Sequence, residues 1–526
     1  METWDYIIVG AGTAGSALAA RLSEAPDCRV LLIEAGRDTL GGAGAGELRE
    51  PSLMRVLQPE LLEAYFWNDL QAVRCASQSA RPFLRGRAVG GSSLINGAIA
   101  LRALPEDYQR WADMGCTGWS AEEVQAIVAA LECDLDRAAV GSEHSASAKP
   151  SSRGPLPISR RPQSDWSPLS HAFARAAREL GHPYAGDAND ASSSGVSPLP
   201  MNVRDGRKVP VSDAYLEVAR TRENLQILAN TLVGRVLFRG RRAVGVSLVR
   251  SQGVETVYGH EVILCAGAVH SPAILQRSGI GASARLEAAG IQPVHHLPGV
   301  GLNLLDHPFV VLNLELQPGY RVASVTSPWA DVCVRYSSNH PGSGRNDMLM
   351  MAASLAPEHM GGAASGSVSV CLYEAFSQGE LHVRSGDPAL EPDMQQRLLC
   401  DERDLHRLCD GVRHLVDLCV SQSMRDAYQV ARSSDGQAID LHAMRSGEDL
   451  QDWVLAHVGD AFHIAGTCRM GGQDQEFAVV DPACRVHGLE GIRVIDASIM
   501  PTIPRANTML PTLMIAEKMA RDLRVK

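Results

Sequence analysis

The chain has 526 residues, more than the roughly 250 to 300 residues at which a single hydrophobic core stops growing, so at least two domains are expected. Hydrophobic residues make up 45% of the sequence and charged residues 21%, the composition of an ordinary globular enzyme. The net charge of −11 argues against nucleic acid and anionic membranes as partners.

The sequence carries none of the usual signals for membrane insertion, secretion or metal binding. No apolar run reaches the ~18 residues of a membrane span, and the first strand starts without a basic and apolar signal region. The twelve cysteines form no CxxC pair, and the adjacent His295 and His296 have no third ligand at a usual spacing. We therefore expect a cytoplasmic protein with reduced thiols and no metal.

The first predicted elements form a dinucleotide-binding unit. An apolar strand leads into a glycine turn and a helix, and a second apolar strand ends at Glu34. Gly10 permits the bend, Gly12 lets the backbone approach a pyrophosphate, and Gly15 brings the helix against the strand. Glu34 would accept hydrogen bonds from an adenosine ribose. This unit alone does not separate NAD from FAD, and a glycine-rich turn in another α/β protein is the alternative.

Composition and spacing divide the rest of the chain. Residues 139–155 are rich in glycine, serine and proline, which predicts a linker. Between about residues 310 and 450, short apolar alternations precede helical spacing from Leu405 to Val420. This pattern predicts a separate sheet with helices on one face.

Four later segments, residues 86–98, 261–281, 462–471 and 491–511, carry glycine, asparagine or histidine beyond the needs of a plain α/β scaffold. The glycines and serines of the first would present backbone N–H groups to a flat or anionic group. The second predicts a strand, a glycine turn and a helix with Pro272 in its first turn. The fourth leads into a helix that runs to about Asp522.

Together with the N-terminal unit, these segments resemble the glucose–methanol–choline (GMC) oxidoreductase family of flavoproteins over nearly the whole chain. GRAVGGSS at 86–93 resembles the first family signature, and GAVHSPAILQRSGIG at 267–281 resembles the second. HIAGTCRMG at 463–471 and DASIMPTIP at 496–504 complete the set in the family order. The resemblance implies an α/β fold, with a Rossmann-like FAD-binding domain and an α+β substrate domain built on a six-stranded antiparallel sheet.

The resemblance also implies the domain organisation. The FAD-binding domain would be discontinuous and consist of residues 1–155, 195–308 and 455–526. The substrate-binding domain would consist of residues 156–194 and 309–454. The active site would lie between the two domains.

Cofactor contacts follow from the resemblance residue by residue. The N-terminal unit would hold the adenosine diphosphate half of FAD, the first signature would line the flavin ring, and the start of the last helix would stabilise negative charge on the reduced ring. FAD should be bound non-covalently, because Ile95 stands where some relatives carry the histidine that bonds the flavin. The predicted contacts are Gly10, Gly12, Thr13, Ala14, Gly15, Glu34, Ala35, Arg87, Val89, Gly90, Gly91, Ser92, Asn96, Gly97, Ala98, Val233, Ala266, Gly267, Asp496, Ala497, Asn507, Thr508 and Met509.

Two residues are predicted to perform the chemistry. The family removes the hydroxyl proton of an alcohol while a hydride passes to the flavin, and neutral His463 suits the base. Asn507 occupies the position of the family's substrate-binding His or Asn, although capping the last helix is the alternative role. Met509 replaces an asparagine common in relatives, which affects the pocket lining rather than the mechanism. We interpret His270 and the aromatic residues at 65–67 as structural.

The resemblance implies oxidation of a primary alcohol to an aldehyde, with oxygen or a quinone-type compound as the electron acceptor. The motif spellings favour aryl or furan-type alcohols, followed by pyridoxine or choline. A GMC-fold enzyme catalysing a non-oxidative lyase or elimination step and a flavin-binding protein without catalysis are the alternatives. Both are disfavoured by the intact pair of His463 and Asn507, and the flavin-side motifs exclude an NAD-dependent dehydrogenase. We expect a monomer or a homodimer.

Overall fold

Two seven-stranded sheets organise the chain. The computed structural model describes residues 3–40, 46–136, 153–250, 253–356, 361–447 and 449–524. The two largest clusters of buried apolar side chains lie one with each sheet. Each sheet of the described chain thus has a large hydrophobic core of its own.

The elements are numbered in chain order. The strands are β1 (Trp4–Val9), β2 (Val30–Ile33), β3 (Gln71–Ala72), β4 (Arg81–Pro82), β5 (Glu132–Asp134), β6 (Leu156–Ile158), β7 (Gly195–Pro198), β8 (Val203–Arg204), β9 (Arg207–Lys208), β10 (Leu225–Leu228), β11 (Leu232–Arg239), β12 (Arg242–Arg250), β13 (Gly253–Leu264), β14 (Ile280–Gly281), β15 (His295–His296), β16 (Leu302–Leu304), β17 (Pro308–Leu316), β18 (Ala330–Tyr336), β19 (Met348–Ala353), β20 (Ser365–Leu372), β21 (Gly379–His382), β22 (Asp393–Gln395), β23 (Tyr428–Arg432), β24 (Gly459–Asp460) and β25 (Ile492–Val494). The α-helices are α1 (Thr13–Leu22), α2 (Leu53–Val56), α3 (Pro59–Tyr65), α4 (Ser92–Ile95), α5 (Pro105–Asp113), α6 (Ala121–Leu131), α7 (Pro168–Glu179), α8 (Val211–Ala219), α9 (Gly267–Arg277), α10 (Ser283–Ala288), α11 (Glu402–Val420), α12 (Gln422–Arg425), α13 (Leu441–Ser446), α14 (Leu450–His457) and α15 (Met509–Arg524). Short 3₁₀ turns lie at Gly46–Arg49, Gln163–Asp165, Pro318–Tyr320, Gly362–Ala364 and Ala497–Ile499.

The first sheet has the order β10–β2–β1–β13–β12–β11, with β25 added beside β13. Strands β10, β2, β1, β13 and β25 pair in parallel, whereas β11, β12 and β13 pair antiparallel. All four residues of β2 are buried, as expected for a parallel strand covered on both faces. The carboxyl ends of β1, β2 and β13 meet at one edge, where Gly10, Glu34 and Cys265 follow them.

The second sheet is antiparallel, in the order β23–β17–β20–β19–β18–β7, with the two-residue β24 beside β17. Because side chains alternate along a strand, one face of β17 and β20 presents Val310, Leu312, Val368 and Val370. These four side chains are completely buried in the core that includes α7 and α11. The opposite face is turned towards the first sheet.

The predicted fold class is confirmed, and so is a helix across 405–420, which runs in full from Glu402 to Val420. The position of Pro272 was wrong. Helix α9 begins at Gly267, so Pro272 is its sixth residue. Proline has no N–H to bond the carbonyl four residues earlier, and the Ala268 carbonyl instead accepts a hydrogen bond from the Thr467 hydroxyl at 2.6 Å.

Two segments pack across the predicted domain boundaries, which stay a prediction. Strand β7 is an edge strand of the second sheet, although residue 195 was predicted to open an FAD-binding segment. Strand β21 pairs with β16 and β22 pairs with β21, and their residues Leu381 and Met394 share a core with Ile464. The predicted linker lies outside the described residues as far as residue 152.

Three expectations from composition can be set beside the structure. Within the described ranges, no helix is both long enough and apolar enough to cross a bilayer. The same ranges contain no group of three or more His, Cys, Asp or Glu side chains arranged to hold a metal ion. The twelve cysteines are free thiols, nine of them buried.

Candidate active site

A cavity of about 610 Å³ lies between the carboxyl edge of the first sheet and the inner face of the second. Its walls include the glycine turn after β1, the first signature, the start of α9, the segment around His463 and the start of α15. The inner faces of β17, β19 and β20 complete it. Motifs that are hundreds of residues apart in sequence therefore meet around one space.

The nucleotide end of the cavity is shaped by the glycine turn and Glu34. A Cβ atom at Gly10, where φ is +101°, would lie 2.5 Å from the Cys265 carbonyl oxygen, and one at Gly15 would lie 1.8 Å from the Gly10 carbonyl oxygen. The Glu34 carboxylate accepts the N–H groups of Ala11 at 2.9 Å and Gly36 at 2.8 Å, and burial raises its pKa to about 7. Glu34 thus holds the turn together, and each oxygen keeps a second lone pair for a ligand.

Most of the predicted cofactor contacts face this cavity, and five do not. Gly15, Arg87, Val89, Gly90 and Ala98 lie outside the lining; Val89 and Ala98 are completely buried, and the Arg87 guanidinium stacks over Trp67 at 4.7 Å. The predicted residues that line the cavity are Gly10, Gly12, Thr13, Ala14, Glu34, Ala35, Gly91, Ser92, Asn96, Gly97, Val233, Ala266, Gly267, Asp496, Ala497, Asn507, Thr508 and Met509.

The first signature presents bare backbone to the cavity. A Cβ atom at Gly91, where φ is +50°, would lie 2.8 Å from the Cα of Gly12, so this loop closes directly onto the nucleotide turn. The Asn96 amide donates to the Met509 sulfur at 3.4 Å, and its oxygen accepts the Ala98 N–H at 3.1 Å. A cradle of this kind, with glycine where a side chain would collide, fits a flat ring and a pyrophosphate.

The carboxylate of Asp496 joins two segments of the cavity wall. Its carboxylate accepts the N–H of Gly267 at 2.8 Å and the hydroxyl of Ser271 at 2.6 Å, and it also binds both donors of Ser498. Burial raises its pKa. Asp496 therefore fixes the start of α9 to the turn at Ala497–Ile499.

The two predicted catalytic side chains are in contact. The Asn507 amide nitrogen Nδ2 lies 3.0 Å from His463 Nε2, and Asn507 Oδ1 accepts the hydroxyl of Tyr373 at 3.2 Å. The Tyr373 hydroxyl, as the donor to Oδ1, orients the amide so that its NH₂ group faces His463. Both polar ends of Asn507 are thus engaged in the cavity, rather than in capping α15.

His463 makes a second contact that the sequence analysis missed. Its Nδ1 lies 2.9 Å from Nδ1 of His307, whose ring stacks on Tyr373 with centroids 4.7 Å apart. Because Asn507 donates to Nε2, the proton of neutral His463 resides on Nδ1 and is donated to His307. Burial, His307 and Arg85 all lower the pKa of His463 well below its usual range. Nε2 is therefore an unprotonated acceptor at the cavity wall.

The backbone of His463 is also held in place. Asp306 accepts the N–H groups of His463 and His307, each at 2.8 Å, and burial together with Asp460 raises its pKa to about 8. The residue before His463, Phe462, has φ +57° and its carbonyl accepts the Arg85 guanidinium at 2.6 Å. A bulky residue at positive φ is strained and persists where its surroundings enforce it.

Of the residues that were interpreted as structural, some line the cavity and others lie outside it. Tyr65 is buried outside the cavity lining, whereas Phe66 and Trp67 line the cavity. His270 also lines it; its ring is tilted against that of Trp67, with centroids 4.2 Å apart, and contacts Glu391 at 3.1 Å. His295 and His296 bind a backbone carbonyl and Ser283, respectively. One feature of the sequence could have indicated His307. It forms a polar pair with Asp306 directly before an apolar strand.

Models of the GMC oxidoreductase family match residues 4–309 and 375–516. The chain belongs to the GMC oxidoreductase family. It is 34% identical to a 5-(hydroxymethyl)furfural oxidase from Methylovorus sp. (strain MP688), over 98% of both chains. It is 33% identical to an oxygen-dependent choline dehydrogenase from Chromohalobacter salexigens, over 99% of this chain and 95% of the relative.

Solved structures agree with this assignment. The crystal structure of a pyridoxine 4-oxidase from Mesorbium loti superposes with a TM-score of 0.86 and 29% identity, and each chain is covered completely. GMC oxidoreductases depend on FAD, so the GMC protein described here is a flavoprotein oxidoreductase, as the motifs predicted.

Proposed function

We propose that this GMC oxidoreductase oxidises a primary alcohol to an aldehyde, with His463 as the base and Asn507 as the partner of the substrate oxygen. The observation that carries the proposal is the 3.0 Å contact between His463 Nε2 and Asn507 Nδ2 on the cavity wall. An alcohol oxygen that enters between these two atoms, in place of their direct contact, can give its proton to Nε2 and accept a hydrogen bond from Nδ2.

The alcohol R–CH₂–OH gives its hydroxyl proton to His463 and loses a hydride from the carbon that bears the hydroxyl group. The aldehyde R–CHO remains. Bound FAD supplies the acceptor for the hydride. The chain supplies the base in its neutral form, because the pKa of His463 is strongly lowered, and the Asn507 amide stabilises the oxygen as negative charge develops on it.

Aryl or furan-type alcohols fit the walls best. Phe66, Trp67, Phe309 and Trp329 all line the cavity and offer faces and edges to an aromatic ring. The names of the similar furfural oxidase and pyridoxine oxidase point to the same substrate class.

A cationic alcohol such as choline has less support. The acidic side chains in the lining are Glu34, Asp460 and Asp496. Glu34 and Asp496 are bound by backbone N–H groups, and Asp460 is paired with Arg74. Each of these three carboxylates therefore already has a protein partner, and the lone pairs that Glu34 keeps for a ligand lie at the nucleotide end of the cavity.

FAD is bound without a covalent bond in this proposal. Ile95 ends α4 beside the flavin-side loop, and its alkyl side chain has no atom that can bond the ring. The glycine loops would hold the cofactor through backbone contacts. The carboxylates of Glu34 and Asp496 keep these loops in place. Acid precipitation should accordingly leave the yellow colour in the supernatant; colour in the pellet would contradict this part.

The proposal is tested by mixing the purified yellow protein anaerobically with a panel of primary alcohols. We expect bleaching of the flavin absorbance by benzyl or furfuryl alcohol, and rapid return of the colour in air if oxygen is the acceptor. Consumption of a substrate with no bleaching would contradict alcohol oxidation and favour a non-oxidative reaction.

A further inference from the structure

The cavity extends well beyond the catalytic pair, across the inner face of the second sheet. Strand β20 contributes Cys371, Ser369 and Ser367 to the lining, and these alternate with the completely buried Val370 and Val368. Successive lining residues are about 6.6 Å apart, because a strand rises about 3.3 Å per residue. Ser367 thus lies about 13 Å from Cys371 along the strand.

The near end of this face is fixed by its contacts with the catalytic residues. Tyr373, which follows β20, donates to Asn507, and Phe309, which pairs with Cys371, follows His307 by two residues. The far end lies at Ser367, which pairs with Asn313 on one side and Ala353 on the other. The lining therefore runs from the reactive atoms to a separate, distant end.

The chemistry of this face changes along its length. Beside the catalytic pair it is apolar and aromatic, with Phe309 and Leu349 on either side of Cys371, and Val311 and Met351 continue the apolar lining on either side of Ser369. Further away it presents Ser369 and Ser367, whose hydroxyl groups have no hydrogen-bond partner among the described residues. Hydroxyl groups directed into a cavity without a protein partner are available to a ligand.

We infer that the substrate is an elongated alcohol: a reactive hydroxymethyl end, an apolar or aromatic body, and a hydrogen-bonding group that reaches Ser367. This inference rests on the proposed function, since it places the hydroxymethyl group at His463. A single ring with its hydroxymethyl group ends near Phe309 and Cys371 and leaves the far part of the face uncovered. A longer body buries more apolar surface on the same wall.

The experiment uses benzyl alcohols that carry 4-alkoxy chains of increasing length, each made with a methyl end and with an amide end. The dissociation constant is taken from the concentration dependence of anaerobic flavin reduction by the complete, FAD-loaded protein. Each added methylene that contacts the wall should lower this constant about fourfold. At the length that reaches Ser367, the amide end should bind more tightly than the methyl end.

Ser367→Leu should narrow the far end and raise the dissociation constant of the longest alcohol about tenfold relative to that of benzyl alcohol. Gln429→Leu, on the exposed side of strand β23 in the same sheet, is the matched control and should leave this ratio unchanged. Affinity that is flat or falls with chain length, or a ratio that Ser367→Leu does not change, would overturn the inference. Failure of every alcohol to reduce the flavin would instead overturn the proposed function.

Discussion

The two ring nitrogens of His463 have different partners, and this difference sets its chemistry. Nε2 faces Asn507 at the cavity wall, whereas Nδ1 faces His307 in the interior. A neutral imidazole has one donor and one acceptor nitrogen, so the partner of Nδ1 decides whether Nε2 can accept a proton. We therefore regard His307 as a positioning residue for His463.

The role of Asn507 is tested by Asn507→Asp. A carboxylate cannot donate to Nε2 or to a developing alkoxide, and a negative charge beside His463 would favour its protonated, inactive form. We expect normal folding and flavin reduction at least about tenfold slower. The reduction potential of the flavin is measured beside the rate, because the new charge could also change it. Equal rates at an unchanged potential would show that His463 works without Asn507.

The role of His307 is tested by a pair of variants. His307→Leu removes the acceptor for Nδ1–H, and we expect flavin reduction to slow about tenfold, the worth of one hydrogen bond. His307→Asn offers an oxygen at nearly the same position and should recover part of the rate. Both replacements change the packing against Tyr373, so a purely structural role predicts equal losses from the two variants.

At the scale of elements, the cofactor cradle is formed by two loops in direct contact. The turn after β1 carries Gly12, and the loop before α4 carries Gly91, where a Cβ atom would lie 2.8 Å from the Cα of Gly12. The closure of these loops brings the nucleotide unit and the first signature around one ligand. Binding of FAD should therefore depend on this contact more than on either loop alone.

Gly91→Ala should lower the affinity for FAD at least about tenfold, because the new Cβ combines positive φ with a collision against Gly12. Gly240→Ala is the matched control: Gly240 has φ +61°, but nothing lies within 4 Å of a Cβ atom there. Titration of the apoproteins with FAD measures both constants. Equal affinities for FAD in the two variants would show that the affinity depends on backbone strain and not on the contact between the loops.

Local motifs made much of the site predictable from the sequence. The glycine turn with Glu34, the His463 segment and the Asn507 position each lie within one short stretch, and all of them line one cavity. His307 and Tyr373 were missed because they reach the site through the pairing of β17 with β20, which is a long-range contact. Pro272 was misplaced because Thr467, almost 200 residues away, compensates the lost backbone bond.

At the scale of the whole molecule, the ligand site joins two hydrophobic cores. The cavity takes its walls from both sheets, so FAD would contact segments from the N-terminal turn to the last helix. A ligand that binds only the folded chain stabilises it by mass action. FAD should therefore stabilise both sheets and their cores together against unfolding.

With free FAD at about 100 times its dissociation constant, we expect about 2.7 kcal/mol of added stability and a higher Tm than in the apoprotein. Thermal unfolding followed by far-ultraviolet circular dichroism, with and without FAD, measures this shift. Gly91→Ala at the same FAD concentration should show a smaller increase. A Tm that FAD leaves unchanged, although the protein is yellow, would contradict binding to the folded chain alone.

In the proposed reaction, His463 removes the hydroxyl proton of the alcohol. The most direct measurement is single-turnover flavin reduction by benzyl or furfuryl alcohol, followed anaerobically by stopped flow in the parent protein and in His463→Gln. With FAD content equal in both, we predict that reduction in the variant is about 10² to 10⁴ times slower, the usual contribution of a positioned base. Reduction of the variant at the parent rate would contradict the claim.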